Sequence, residues 1–227
     1  MKKLACLLVI ASVASALSID DFTSDQSACD GGACGGTASS STLNTGVLGG
    51  NRDLVATLLS ISGQVRMDSN AIEPGRLTFS ASDNAIGVGV AQWDGPEGTA
   101  AIDSTGLGGV DLLADGALFF AFVARADHVG DVEIVVYDQA TGTPHSVLVN
   151  LPGDNVDHLY LVPFSDFGAA TLNNVGAVEI LISGVVTGLD VELDFLGTSG
   201  VPEPATWMTL GASLIALGLA RRRKFRI

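Results

Sequence analysis

The stretch Leu189-Asp-Val-Glu-Leu-Asp-Phe-Leu196 alternates apolar and acidic side chains with a period of two. That period belongs to a β-strand with one face buried and one in water. Leu189, Val191, Leu193 and Phe195 are expected on the core side, and Asp190, Glu192 and Asp194 on the other. Shorter apolar or alternating runs recur upstream, at 52–61, 64–68, 76–81, 85–93, 99–103, 109–113, 117–125, 132–138, 145–151, 158–163 and 175–184. Turn signals such as Ser-Gly, Glu-Pro-Gly, Asp-Asn, Thr-Gly-Thr-Pro and Pro-Gly-Asp separate them. Many short strands at regular spacing, with no competing amphipathic helix, predict an all-β fold, an antiparallel β-sandwich over residues 51–197. Residues 17–50, rich in Ser, Thr, Gly and Asp, read as an extended start, with a first strand from 19–22, followed by a loop.

The two ends have a different texture. Lys2 and Lys3 precede the apolar run Leu4 to Val13, and Ala14-Ser15-Ala16 supplies a small-x-small cleavage site. Residues 1–16 are therefore expected to be a signal peptide removed by signal peptidase. At the other end Val201-Pro202-Glu203-Pro204 leads into the apolar stretch 205–220 and then Arg221-Arg222-Arg223-Lys224. Both prolines fix φ and lack an amide hydrogen, which keeps this short motif extended. Sixteen residues make about 24 Å of helix, short of a hydrocarbon core of about 30 Å, so flanking residues or local thinning must complete a span. Four consecutive cations resist crossing and hold that end on the cytoplasmic side.

This order of elements in 198–227 resembles the PEP-CTERM sorting signal of Gram-negative bacteria that make extracellular polysaccharide. The resemblance implies that a membrane-bound, exosortase-type enzyme recognises the tail. It also implies a transmembrane helix that anchors the chain transiently or stably, and a final location at the cell surface or in the extracellular matrix. It says nothing of the domain being delivered.

Seven of the eleven cations lie in the two ends. The region between keeps only Arg52, Arg66, Arg76 and Arg125, against 24 acids, a balance of about −20. A surface so acidic repels nucleic acid and anionic lipid, which excludes a nucleic-acid partner. Cys29 and Cys34 frame Cys-Asp-Gly-Gly-Ala-Cys. In an oxidising exported setting this pair reads as a small disulfide, with free thiols as the alternative. Zinc would need two further ligands nearby.

A second, weaker resemblance comes from Ile19-Asp-Asp-Phe22, Val162-Pro-Phe-Ser-Asp-Phe167, Asn174 to Ile180 and the closing acidic strand. Together these look like jelly-roll domains of the carbohydrate-binding type. That architecture implies neighbouring first and last strands and a structural Ca²⁺ near their ends, for which Asp21 and Asp194 are the candidate ligands. A solvated acidic face is the alternative account of Asp194. Trp93, Tyr137 and Tyr160 are the candidates for glycan contact, although each lies in or beside an apolar strand, where a core role is the simpler reading.

Catalytic signatures do not follow. His128, His145 and His158 have no metal spacing, and there is no nucleophile elbow or phosphate loop. With 24 acids, carboxylate pairs arise by chance and do not define a hydrolase. The chain is expected to be non-enzymatic and without a cofactor other than the calcium named above. Its expected role is structural or adhesive, with calcium-dependent binding of extracellular polysaccharide as the alternative and a hydrolase as a remote third.

Overall fold

A computed structural model describes residues 17–32, 34, 37–96 and 98–200. The expected signal peptide 1–16, the motif Val201–Pro204, the apolar stretch 205–220 and the cations from Arg221 to Lys224 lie outside the described residues.

The described chain forms two antiparallel sheets, with strands numbered in chain order. The first sheet runs β11 (His158–Pro163), β8 (Phe119–Ala126), β13 (Asp190–Ser199), β6 (Leu77–Ala81), β5 (Gln64–Ser69) and β2 (Gln26–Gly31). β1 (Ser18–Asp20) pairs with β13 outside that path, so the first and last strands are neighbours. The second sheet runs β10 (Pro144–Leu151), β9 (Gly130–Asp138), β12 (Val175–Ser183), β7 (Gly87–Trp93), β4 (Asn51–Leu58) and β3 (Ser39–Leu43). The molecule is an all-β sandwich of jelly-roll type.

Alternation along each strand sends every second side chain between the sheets. Val65, Met67, Phe79, Phe120, Phe122 and Leu193 of the first sheet are buried together with Leu54, Ala91, Ile134, Ile180 and Ile182 of the second. Each of the larger side chains among them contributes roughly 1.5–3 kcal/mol by leaving water. Gly89 of β7 faces the same core. A Cβ there would meet Met67 Sδ and lie 2.6 Å from the Phe79 ring, so glycine lets the two sheets approach.

Three expectations are corrected. The segment read as a loop contains two strands, β2 and β3, at the same lateral edge of the two sheets. Their Ser-rich composition hides them, because edge strands need ladder hydrogen bonds more than apolar side chains. Residues 99–103 and 109–113, expected as strands, are instead turns and loop, with only Val110 bridging to Val175. Finally, the period of two breaks within β13. Leu193 pairs with Ala124 and Leu196 with Phe122, so three steps on β13 match two on β8. This bulge turns Phe195 outward, 37% exposed, and buries Leu196 at 1%.

Candidate functional site

Two polar clusters interrupt the apolar pattern of the second sheet, one on each face. The inward cluster is structural. Arg52, pointing between the sheets from β4, is 1% exposed and donates to Asp20 Oδ2 at 2.9 Å. Its Nε donates to Gln26 Oε1 at 2.9 Å and its Nη2 to the Ser24 carbonyl at 2.8 Å. Asp20 also accepts from Trp93 Nε1 at 2.9 Å and from the Phe22 amide at 2.7 Å. Burial pushes the Asp20 carboxyl above its ordinary value, while Arg52 opposes that shift. Arg52 and Asp20 thus form a hydrogen-bonded ion pair between the sheets.

The outward cluster is the candidate site. Register places Asp53 of β4 beside Gln92 of β7, and Gln92 beside Glu179 of β12, in one row across the outer face. Asn51 and Asp94 extend that patch towards one end, and Tyr137 of β9 flanks it. Asn51, Asp53 and Asp94 are 0% exposed, Gln92 6% and Glu179 8%, which is unusual for polar groups on the outside of a sheet. The segment after β7 helps to enclose them by folding back over that end: the Asp103 amide donates to Asp94 Oδ2 at 2.8 Å, and the Leu107 amide to the Gly176 carbonyl at 2.8 Å. Gly106 allows this approach, since a Cβ there would collide with the Asp94 carbonyl.

The cluster is short of donors. Gln92 Nε2 donates to Glu179 Oε2 at 2.6 Å, and Asn51 Nδ2 donates to Ser41 Oγ and Asp53 Oδ1 at 3.0 and 3.1 Å. These bonds fix which way the amides point. Gln92 Oε1 and Asn51 Oδ1 are left buried with no partner among the described residues. Burial pushes up the Asp53 carboxyl, with Ser41, Asp94 and Asn51 opposing by hydrogen bonds. Glu179 is raised by burial too, with Gln92 opposing. Tyr137 is pushed up to about 12, first by burial and then by the charges of Glu179, Glu133 and Asp94. The site is an enclosed set of acceptors suited to hydroxyl or cationic donors.

The site residues expected from sequence land elsewhere. Trp93 is 0% exposed in the core and spends its indole N–H on Asp20, so it offers no face to a sugar. Tyr160 turns inward and stacks on Phe122 with ring centroids 5.1 Å apart. Only Tyr137, half-buried beside the acceptor row, is near the site. Asp21 is exposed and accepts from the amide and hydroxyl of Thr23. Asp194 is exposed on the outer face of the first sheet. Among the described residues no three His, Cys, Asp or Glu side chains gather into a metal cage. Cys29 and Cys34 are joined by a disulfide with their Cα atoms 5.8 Å apart. Sequence reasoning missed the acceptor row. The available signal was Asn51, Asp53, Gln92 and Asp94 standing at outward positions of apolar strands.

The comparisons agree with the sorting role of the tail. Residues 200–224 match the PEP-CTERM protein-sorting motif. The chain is thus a β-sandwich protein carrying a signal for export and for exosortase-dependent sorting through a membrane-anchored stage towards the cell surface. No curated protein matches it. Among solved structures it is similar to a family 11 carbohydrate-binding module from Clostridium thermocellum, in complex with a β-1,3-1,4-mixed-linked tetrasaccharide. That similarity has 12% identity and TM-score 0.46, covering 85% of this chain and 99% of the other. A family 29 carbohydrate-binding module complexed with mannohexaose is similar at 10% identity and TM-score 0.37, covering 78% and 94%. Likeness at this level is one of general shape and bears on neither ligand nor activity.

Proposed function

We propose that the protein is a non-enzymatic component of the cell surface or extracellular matrix, structural or adhesive in type, with the sandwich as cargo and the tail as its address. The observation that carries the delivery in this reading is the direct abutment of the two parts. β13 ends at Ser199 and the sorting motif begins at residue 200, so the last core strand runs straight into the signal. Fractionation of cells expressing the full chain tests it. Mature protein in the envelope or medium is expected, and Pro202→Ala with Pro204→Ala should leave unprocessed protein at the membrane. Full-length protein confined to the cytoplasm would remove the case.

A second reading is glycan binding, which requires this buried row to open so that sugar hydroxyls reach the unpartnered oxygens of Gln92 and Asn51 beside the Asp53 and Glu179 carboxylates. Acceptors without donors suit a neutral, hydroxyl-rich polysaccharide. An acidic glycan would be repelled unless calcium, at Asp21 and Asp194 or elsewhere, bridged it. A glycan array with and without calcium tests this. Binding that weakens about tenfold or more in Gln92→Ala supports it, and no binding in either condition leaves the structural reading alone.

A further inference from the structure

The outer face of the first sheet is divided along its strands. One half is charged: Arg125 and Arg76 both reach Glu192, at 2.7 and 3.4 Å, and Arg76 also pairs with Asp157 at 3.0 Å. The other half is largely apolar, with the exposed Asp194 at its border. Leu159 and Leu161 of the edge strand β11 stand outward, 62% and 51% exposed, opposite Val123 and Ala121 of β8. The bulge in β13 adds Phe195 to this surface. Single exposed apolar residues need no explanation, but a contiguous strip on one sheet face does.

The position of the strip points to its occupant. Towards the apolar end, Gly197 pairs with Ala121 and Ser199 with Phe119, and the chain then leaves the sandwich at Gly200. Only Val201 to Pro204 intervene before the apolar stretch 205–220. The five Cα–Cα steps from Gly200 to Ala205 span at most about 18 Å. The apolar half of the face is therefore the half nearest the root of the tail, and the ion pairs lie farther away.

We infer that this strip, made by Leu159, Leu161 and Phe195, rests in the headgroup and upper acyl region of the bilayer that holds the protein's own tail. The inference relies on 205–220 being seated in the membrane. Each leucine entering that region adds a small favourable term, and the tether supplies a high local concentration of surface that a free domain of about −20 charge would not reach unaided. The occupant is lipid, met while the tail is uncut.

Site-directed nitroxide labelling of the full-length mature chain in phosphatidylcholine vesicles tests this. Separate labels replace Leu161→Cys, Leu148→Cys and Leu214→Cys, with Cys29 and Cys34 already occupied by their disulfide. Leu148 is 57% exposed on the outer face of the opposite sheet and serves as the aqueous control. Leu214, within the apolar stretch, reports tail insertion independently. The expected result is a several-fold higher ratio of oxygen to nickel-chelate accessibility at 161 than at 148, with 214 fully lipid-exposed. A lipid signal at 214 with equal aqueous accessibility at 161 and 148 overturns the inference alone. Protection of 161 from both reagents also overturns it, in favour of a second copy or a protein partner. An aqueous signal at 214 overturns the membrane reading of the tail, and the inference with it.

Discussion

At the scale of single residues, the decisive pairing is Arg52 with Asp20. Both are removed from water, and their bonds to Gln26, Ser24, Trp93 and Phe22 satisfy the groups that burial would otherwise leave exposed to an apolar interior. Phe22 completes the cluster, with Arg52 6.0 Å over its ring and Trp93 6.4 Å away. Removing one partner strands a buried charge, so Arg52→Met is expected to cost about 3–5 kcal/mol in urea unfolding. A loss below about 1 kcal/mol, the level of an exposed pair, would show that Asp20 reaches water. None of this was legible beforehand. Arg52 is one of four arginines in the cargo, and Asp20 sits next to the exposed Asp21 with nothing to tell the two apart. Trp93 was correctly suspected of belonging to the core, because its strand is apolar.

At the scale of elements, the bulge in β13 separates two hydrophobic neighbours. Leu196→Ala should cost about 2–5 kcal/mol, as for a leucine in a packed core. Phe195→Ser, on the outer face, should stay within about 0.5 kcal/mol. Strict alternation demands the reverse order, so chemical denaturation of the two variants decides between them. The first part of this strand was readable because Leu189, Val191 and Leu193 repeat with the pleat. The second was not, because a bulge is set by what β8 and β1 require on either side. β2 and β3 escaped notice for a related reason: Gln26 donates to the Ser40 carbonyl of β3 and the Arg52 carbonyl of β4, and Ser41 accepts from Asn51 of β4, a function that composition reads as loop.

At the scale of the molecule, buried acids make an unusual pH dependence. Asp20, Asp53 and Glu179 have carboxyls raised chiefly by burial, so the folded state takes up protons more readily than the unfolded chain. Their favourable contribution is complete below the unfolded carboxylate range and is lost as pH rises through the folded values. Asp138 is lowered by the Thr171 amide and Asp157 by Arg76, so their contributions work in the opposite sense and vanish as pH falls through their folded values. Self-repulsion among about 20 excess negative charges adds to the first group. The melting temperature should therefore rise on acidification from neutral pH, then fall below about pH 4, where the lowered carboxylates protonate. Calorimetry across this range checks it, and Glu179→Gln should flatten the rise. A steady decline from pH 7 downward would contradict the placement of these acids. By itself the sequence determined the sorting tail, the all-strand character and most strand positions, because these depend on local period, turn chemistry and the order of apolar and charged segments. Only the tertiary structure decided which acids are buried, which aromatics face the core and where an acceptor row and an apolar strip form. Those properties depend on which strands become neighbours, and residues as distant in sequence as Asp53, Gln92 and Glu179 meet only when the sheet closes.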